Sequence, residues 1–404
     1  MNKLPNGWQI KTLGDIFLIE RGSSPRPIKS FLTNDNNGIN WIKIGDAKNN
    51  SKYIYQSAEK IRPEGKKYSR FVEIGDLILS NSMSFGRPYI MKTIGCIHDG
   101  WVVLRKILKN IIYEEYAYYI LSSNQVHSEF SKLAAGSVVK NLSIDRIKQV
   151  YIPIPPLDEQ KRIASALSKI DAYLENTIKL IEEKERFKRG IAKKLLTCKE
   201  GENIPEARFK GFEDEWMEVA ISKIGTIITG NTPSTKNESF WNGNNVWVTP
   251  TDIKQKYISN SERKLTDDGL KKSRKLPANT LLITCIASIG KNAILKCEGA
   301  CNQQINAIIP NKNYNVDFLY YLFENEKSYL KFKAPQSVIK IMSKSEFSKL
   351  VFKFPLLEEQ EKIGGYLSLL DAEIDNLKKQ KELIKEMKRG AMQKLLSGEV
   401  RLLE

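Results

Sequence analysis

The chain has 404 residues, of which 41% are hydrophobic and 27% charged, a composition that excludes global disorder and collagen-like repeats and leaves room for two or three domains. Its apolar runs are short, Leu281-Leu282-Ile283 among them, against the roughly 18 residues of a membrane span, and the start Met-Asn-Lys-Leu-Pro lacks the apolar core of a leader peptide, so a cytoplasmic protein is expected. The formal charge of +17 favours a polyanion as partner; it is concentrated in residues 1–155 (+9) and 201–354 (+6), while residues 355–404 carry −1.

In chain order, β-rich runs at Trp41–Ile44, Leu77–Ser80, Tyr89–Lys92 and Trp101–Leu104 predict strands, followed by a helix around Glu114–Ser122. Its tyrosines Tyr118 and Tyr119 are expected to pack in a core rather than to stack on bases. Pro153, Pro155 and Pro156 then forbid helix, and Asp158-Glu159 suits the positive end of one that opens immediately afterwards. That helix is predicted over residues 157–196, about 60 Å at 1.5 Å per residue. The same order then returns: strands at Val246–Thr249, Thr280–Cys285, Ala293–Lys296 and Ile305–Ile309, a helix over Val316–Asn325 with Tyr320-Tyr321, and a second long helix after Pro355.

The return is a true internal repeat. At an offset of 200 residues, Pro155-Pro156-Leu157-Asp158-Glu159-Gln160-Lys161-Arg162-Ile163 recurs as Pro355-Leu356-Leu357-Glu358-Glu359-Gln360-Glu361-Lys362-Ile363, and Lys188-Arg189-Gly190 recurs as Lys388-Arg389-Gly390. More loosely, Trp8 to Gly22 matches Trp216 to Gly230, and Gly86-Arg87 matches Gly290-Lys291. One unit is written twice, with divergent modules and nearly invariant tails. In the tails, Ile163, Leu167, Ile170, Leu174, Thr177 and Ile181, and again Ile363, Leu367, Leu370, Ile374 and Leu377, alternate steps of four and three. This is the a/d seam of a coiled coil. Antiparallel pairing puts the modules at opposite ends of a rod, and parallel pairing puts them side by side. Gly364-Gly365, where the first copy has Ala164-Ser165, marks either a local kink or a close helix approach. The expected division is module 1–152, helix 153–200, module 201–352 and helix 353–404, in an α+β fold.

Basic side chains gather in module loops, where they suit phosphate contacts: Lys66, Lys67 and Arg70 in the first copy, Lys271, Lys272 and Arg274 in the second, with Lys140 and Lys340 at matching positions. Candidate base readers are Lys43, Asp46, Ser84 and Arg87, and in the second copy Thr249, Asp252, Ser288, Lys291, Asn302 and Gln303. Catalytic signatures are missing. Gly290-Lys291 is preceded five residues earlier by Cys285, so no phosphate-binding loop forms, and no Asn/Asp-Pro-Pro-Tyr/Phe methyltransferase motif exists. Five scattered cysteines and two histidines supply neither a disulfide framework nor the paired ligands of a structural zinc site, and no metal is expected.

The duplicated Pro-x-x-x-Glu-Gln-x-x-Ile opening, the heptad helix and the Lys-Arg-Gly…Leu-Leu ending resemble the specificity subunit of type I restriction–modification systems over the whole chain. The resemblance implies two tandem target recognition domains, each followed by a helix of an antiparallel coiled coil. Each domain would read one half of an asymmetric, bipartite double-stranded DNA site, the helices setting the gap between halves. It further implies docking of two modification subunits, which methylate adenine at N6, and of up to two restriction subunits. S-adenosylmethionine, ATP and Mg would act on those partners, and this chain would be non-catalytic. A stand-alone DNA-binding protein dimerising through the coiled coil is the alternative reading of the same residues.

Overall fold

A computed structural model describes residues 4–47, 51–81, 86–108, 110–134, 143–334 and 341–403. The chain divides into two compact units, Met1–Thr177 with Gln380–Glu404, and Ile178–Lys379. Each contains one module, half of each long helix, and its own core. No helix among the described residues is long and apolar enough to cross a membrane.

The central sheet of the first module orders its strands Phe17–Arg21, Trp101–Lys106, Leu77–Ser80, Pro88–Met91 and Tyr53–Ile54. The run Leu77-Ile78-Leu79 is buried on both faces, which explains its unbroken apolar sequence. Leu77 and Leu79 face helix α1 (Glu114–Leu121), packing with Tyr116, Tyr119 and Ile120. Ile78 points the other way, towards Ile42, Val72 and Ile97 of a second sheet. The module is therefore a helix layer, a central sheet and a smaller sheet. The second module repeats this with Gly225–Thr229, Ile305–Pro310, Thr280–Thr284, Asn292–Leu295 and Tyr257–Ile258; Leu281 and Ile283 face its helix layer while Leu282 faces Val246 and Val248. The expected strands all appear, shifted at their ends by a few residues at most outside Trp241–Val248, which starts earlier than expected. The tyrosine pairs are core-packing groups, with Tyr119 fully buried and Tyr321 3% exposed.

A two-stranded ribbon closes each module: Gln9–Thr12 pairs antiparallel with Tyr151–Ile154, and Met217–Ala220 with Val351–Phe354. The ribbon delivers the chain directly into helix α2 (Leu157–Leu196) in the first case. Val316–Asn325 forms α3, and the second ribbon leads into α4 (Leu357–Ser397). The long helices run antiparallel. In the first unit residue 159 meets 401, 162 meets 402 and 171 meets 388. In the second unit Glu185 meets Lys378, Lys184 meets Glu373 and Lys188 meets Asp371.

Among the heptad positions Ile163, Leu167, Ile181, Ile363, Leu367, Leu370 and Ile374 are buried, whereas Ile170, Leu174 and Leu377 are half-buried. The opening turns do more than line a seam. Ile163 and Leu167 belong to the core of the first module with Trp8, Leu13 and Tyr116, and Leu395 and Leu396 from α4 join them. Ile363 and Leu367 do the same beside Trp216, Phe318, Leu195 and Leu196.

The Glu-Gln motif is explained by this docking. Gln160 accepts from the Tyr113 backbone N–H (2.8 Å) and donates to the Pro155 carbonyl (2.9 Å), stitching the helix start to the residue that precedes α1. Gln360 does likewise with Asn315 (3.0 Å) and Pro355 (2.9 Å). Glu159, 1% exposed at its side chain, takes a two-pronged bond from Arg401 (2.6 and 2.8 Å) and a third from the Trp8 indole (3.0 Å). Desolvation opposes its ionisation, yet the bonds from Arg401 and Trp8 hold its carboxyl below the ordinary value. Glu359 takes its two-pronged bond from Arg208 (2.9 and 2.8 Å).

A second polar network fixes each module on its helices, and it too occurs twice. Lys52 donates to Ser168 (2.9 Å) and lies 3.4 Å from Glu115, Tyr119 donates to Asp171 (2.7 Å), and Asp171 pairs with Lys388 (2.6 Å). In the other unit Lys256 meets Ser368 (2.7 Å) and Asp317 (2.7 Å), Tyr321 donates to Asp371, and Asp371 pairs with Lys188. Each lysine also sits near three tyrosine rings, Lys256 being 4.3 Å from the centre of Tyr321. Burial holds both ammonium groups below the ordinary lysine pKa, against the pull of the neighbouring carboxylates.

The two glycines of α4 separate cleanly. The helix is unbroken, and a Cβ on Gly364 would lie 2.8 Å from the Phe318 backbone nitrogen at the start of α3, while one on Gly365 would meet nothing within 4 Å. The close approach, not a kink, is the reason for the first glycine. Gly365→Ala is expected to stabilise the protein by about 0.5–1 kcal/mol through helix propensity, and Gly364→Ala to lower the unfolding midpoint despite the same gain; thermal unfolding of both variants checks the opposite signs. Asp171→Ala removes the acceptor of the Tyr119 hydroxyl and the ion-pair partner of Lys388, and a loss of ~1–3 kcal/mol is expected in denaturant unfolding.

Candidate nucleic-acid interface

In the second module, the turn between strands Gly299–Cys301 and Ile305–Pro310 is held from several sides. The Asn302 N–H donates to the Val248 carbonyl (3.0 Å), Ile305 N–H to Asn302 (3.2 Å), Gly230 N–H to Ile305 (3.0 Å) and Cys285 N–H to Gln304 (2.8 Å). Asn302 was expected among the base readers. Instead it is 7% exposed, accepting from the Gln304 N–H (3.1 Å) and donating to the Gln304 side chain (3.0 Å), so its amide braces the turn. Gln303 is exposed, and its Oε1 accepts from the Thr232 hydroxyl (2.6 Å).

The turn gathers other predicted residues. Arg274 donates to the Thr229 carbonyl (2.6 Å) and its N–H to Asn231 (2.8 Å), whose own amide donates to the Lys272 carbonyl (3.0 Å). Thr249 follows directly on Val248, and Lys291 donates to the Pro250 carbonyl (2.9 Å). The Asp252 carboxylate accepts from the N–H groups of Thr249 and Glu262 (2.8 Å each) and from the Thr249 hydroxyl (2.7 Å). Both Asp252 and Thr249 thereby shape the loop, rather than presenting their oxygens unbonded to a ligand. Ser288 is exposed, Lys272 is exposed, and Lys271 pairs with Asp268 (2.9 Å).

The first module reproduces this scaffold with other side chains. Its turn is His98-Asp99-Gly100. The His98 N–H donates to Ile42 (3.1 Å), Trp101 N–H to His98 (3.0 Å), Gly22 N–H to Trp101 (2.8 Å) and Asn81 N–H to Gly100 (2.7 Å). His98 Nδ1 accepts from the Gly100 N–H (3.0 Å), as Asn302 does from Gln304. Ser24 donates to Asp99 Oδ1 (3.0 Å), as Thr232 does to Gln303. Gly22 and Gly230 are required here, since a Cβ on the first would fall 2.1 Å from the His98 carbonyl oxygen and one on the second 2.3 Å from that of Asn302. Arg70 reaches the Arg21 carbonyl (3.4 Å), the place that Arg274 takes beside Thr229, and pairs with Glu20 (2.8 Å). Arg21 itself donates to the Asp99 carbonyl (3.1 Å).

Asp46 mirrors Asp252, accepting from the N–H groups of Lys43 (2.7 Å) and Ala58 (2.9 Å), and the Lys43 ammonium pairs with Glu59 (2.5 Å). Arg87 lies over the Tyr89 ring, 5.7 Å from its centre. Lys66 and Lys67 are exposed, with Lys66 over the Phe71 ring at 3.7 Å. Together with Arg70 and Arg105 they line an open groove of about 810 Å³, which also carries Glu64 and Glu73. Ser84, Lys140 and Lys340 lie outside the described residues. The residues that sequence reasoning passed over are His98 and Asp99. The spacing that carries Gly86 onto Gly290 also carries His98 onto Asn302 and Lys52 onto Lys256, so the repeat itself held the signal.

Chemically, each module presents a hydrogen-bonded turn with guanidinium groups nearby, Arg21 and Arg70 in the first and Arg274 in the second. Arginines and lysines of this kind neutralise phosphates, and the acid or amide at the tip can discriminate base edges.

A family model described as the type I restriction modification DNA specificity domain matches residues 5–183 and 213–386. The chain is 36% identical over 180 residues to the type I restriction enzyme MjaIX specificity subunit of Methanocaldococcus jannaschii, an alignment covering 43% of this chain and 42% of that subunit. It is 26% identical to the putative MjaX specificity subunit of the same organism over 434 aligned positions, covering 100% of this chain and 96% of the other. In fold it is similar to a chain from structural work on complex assembly and conformational transition of the type I R-M system, with a TM-score of 0.63, 18% identity, and 99% and 100% of the two chains covered. The duplicated scaffold and the two matched segments give one conclusion: the chain belongs to the type I restriction modification DNA specificity domain family and carries that domain twice.

Proposed function

We propose that this chain reads an asymmetric, bipartite site in double-stranded DNA, one half per module, and recruits the subunits that act on it. The observation that carries this reading is the pair of turns: one backbone scaffold, built twice, ending in His98-Asp99 in one module and Asn302-Gln303 in the other. A reader of one repeated sequence has no use for two chemistries on one scaffold. The basic groups Lys66, Lys67 and Arg70, and Lys271, Lys272 and Arg274, would position the modules on phosphates. Their contribution falls as salt rises, since neutralised phosphates release counterions.

On this reading the long helices set the gap between half-sites and dock two modification subunits, to which up to two restriction subunits add. Modification would methylate adenine at N6 after the base is flipped from the stack. S-adenosylmethionine, ATP and Mg would be bound by those partners, and this chain would supply address and scaffold rather than an active site.

Long-read methylome sequencing of cells with and without the gene tests the whole reading; loss of one gapped, asymmetric methyladenine motif is expected, and an unchanged methylome in cells that hold the assembled complex contradicts it. Exchange of residues 1–150 for the module of a relative is expected to change one half of that motif and leave the other intact. Insertion of four residues near Lys179, about one helical turn, is expected to change the gap or abolish assembly. An unchanged gap at full activity would remove the spacing role.

A further inference from the structure

We propose that Asp99 and Gln303 are equivalent base-reading positions, one per module, each carried at the tip of the shared turn scaffold. The inference rests on the proposed reading of a two-part DNA site and names residues that decide its sequence.

The two turns agree in six hydrogen bonds. Four are backbone bonds that tie the turn to three neighbouring segments and close it on itself. The fifth is the cap that His98 or Asn302 provides to the residue two positions on. The sixth is the hydroxyl of Ser24 or Thr232 on the tip residue. A tip held in this way has a fixed direction, so its chemistry rather than its mobility decides what it recognises. That chemistry differs: a carboxylate in the first module, a carboxamide in the second. Both are accessible, with the Asp99 side chain 39% exposed and Gln303 exposed.

The bonds leave a functional edge in each case. The Ser24 hydroxyl donates to Asp99 Oδ1 and the His98 Nε2 lies 2.7 Å from the same oxygen, so Oδ2 remains an acceptor. An acceptor-only group pairs with an exocyclic amine in the major groove, and the favoured partner of Asp is cytosine N4. Thr232 bonds Gln303 through Oε1, which retains a second lone pair beside the Nε2 donor. That donor–acceptor pair matches N7 and N6 of adenine. Guanidinium groups flank each tip, Arg21 and Arg70 in one module and Arg274 in the other. Arg21 and Arg70 offset the cost of bringing Asp99 near the phosphates, and all three would anchor the DNA backbone beside the tips.

The test uses the full chain co-expressed with its modification subunits, with methylome sequencing as the readout. Asp99→Asn keeps the shape and the Ser24 bond while adding a donor; it is expected to shift preference at one position of one half-site away from cytosine, by about tenfold or more in relative methylation. Gln303→Glu is expected to alter one position in the other half-site only. Ser24→Ala, which removes a brace but not the reader, is expected to keep the base preference. An unchanged motif with slower methylation in both tip variants overturns this proposal alone, because the tips would then be braces. A shift in Ser24→Ala equal to that of Asp99→Asn overturns it as well. A parent chain with no two-part motif overturns the underlying reading and this proposal with it.

Discussion

Two buried carboxylates organise this protein. Glu159 and Glu359 stand in the first turns of the long helices, nearly without solvent, and a buried carboxylate without a partner costs several kcal/mol. Neither helix supplies the missing cation. Glu159 takes a guanidinium from Arg401, which follows the end of α4, and Glu359 takes one from Arg208, which follows the end of α2. Each helix start is therefore stable in its buried place only when the tail beyond the other helix has arrived. The leucine pairs that end the helices, Leu195-Leu196 and Leu395-Leu396, enter the same cores. Charge pairing and apolar burial thus select the same antiparallel arrangement. The parallel alternative would separate both guanidiniums from their carboxylates.

The modules are built to transmit that fixed geometry outwards. A central sheet buried on both faces leaves little freedom between the helix layer and the smaller sheet, because alternate side chains of one strand belong to different cores. The turn at His98–Gly100 bonds to strand ends of both sheets, at Ile42 and at Asn81 just past Ser80. Its tip is consequently positioned by the core rather than by a loop of its own. The second module repeats this through Val248 and Cys285.

Much of this architecture was legible in the sequence. The repeat, the helix starts after Pro156 and Pro355, and strands such as Leu77–Ser80 rest on local signals that tertiary structure had no reason to override. The Glu-Gln pair was visible as a pattern but not as a mechanism, since its partners Arg208 and Arg401 lie outside the repeat's strict offset. Candidate site residues were less legible. Asn302, Asp46 and Asp252 have side chains that suit bases and turns equally well, and only the backbone N–H groups around them reveal that they hold turns. Asp99 showed no sign in isolation because a lone acid in a basic module reads as a solvated surface group. Lys52 and Lys256 were passed over for the opposite reason, as lysines are seldom buried.

The paired lysine network bears on how such proteins can be recombined. Lys52 and Tyr119 belong to a module, whereas Ser168, Asp171 and Lys388 belong to helices, and the second unit uses the same types at Lys256, Tyr321, Ser368, Asp371 and Lys188. The socket on the helices is the same at both ends of the repeat. A foreign module meets that socket with one lysine and one tyrosine at the matching places, together with the apolar residues that receive the helix starts, whatever its outer surface has become. The network acts as a coupling standard, and variation on the far side of the sheet is then free to proceed without renegotiating the joint.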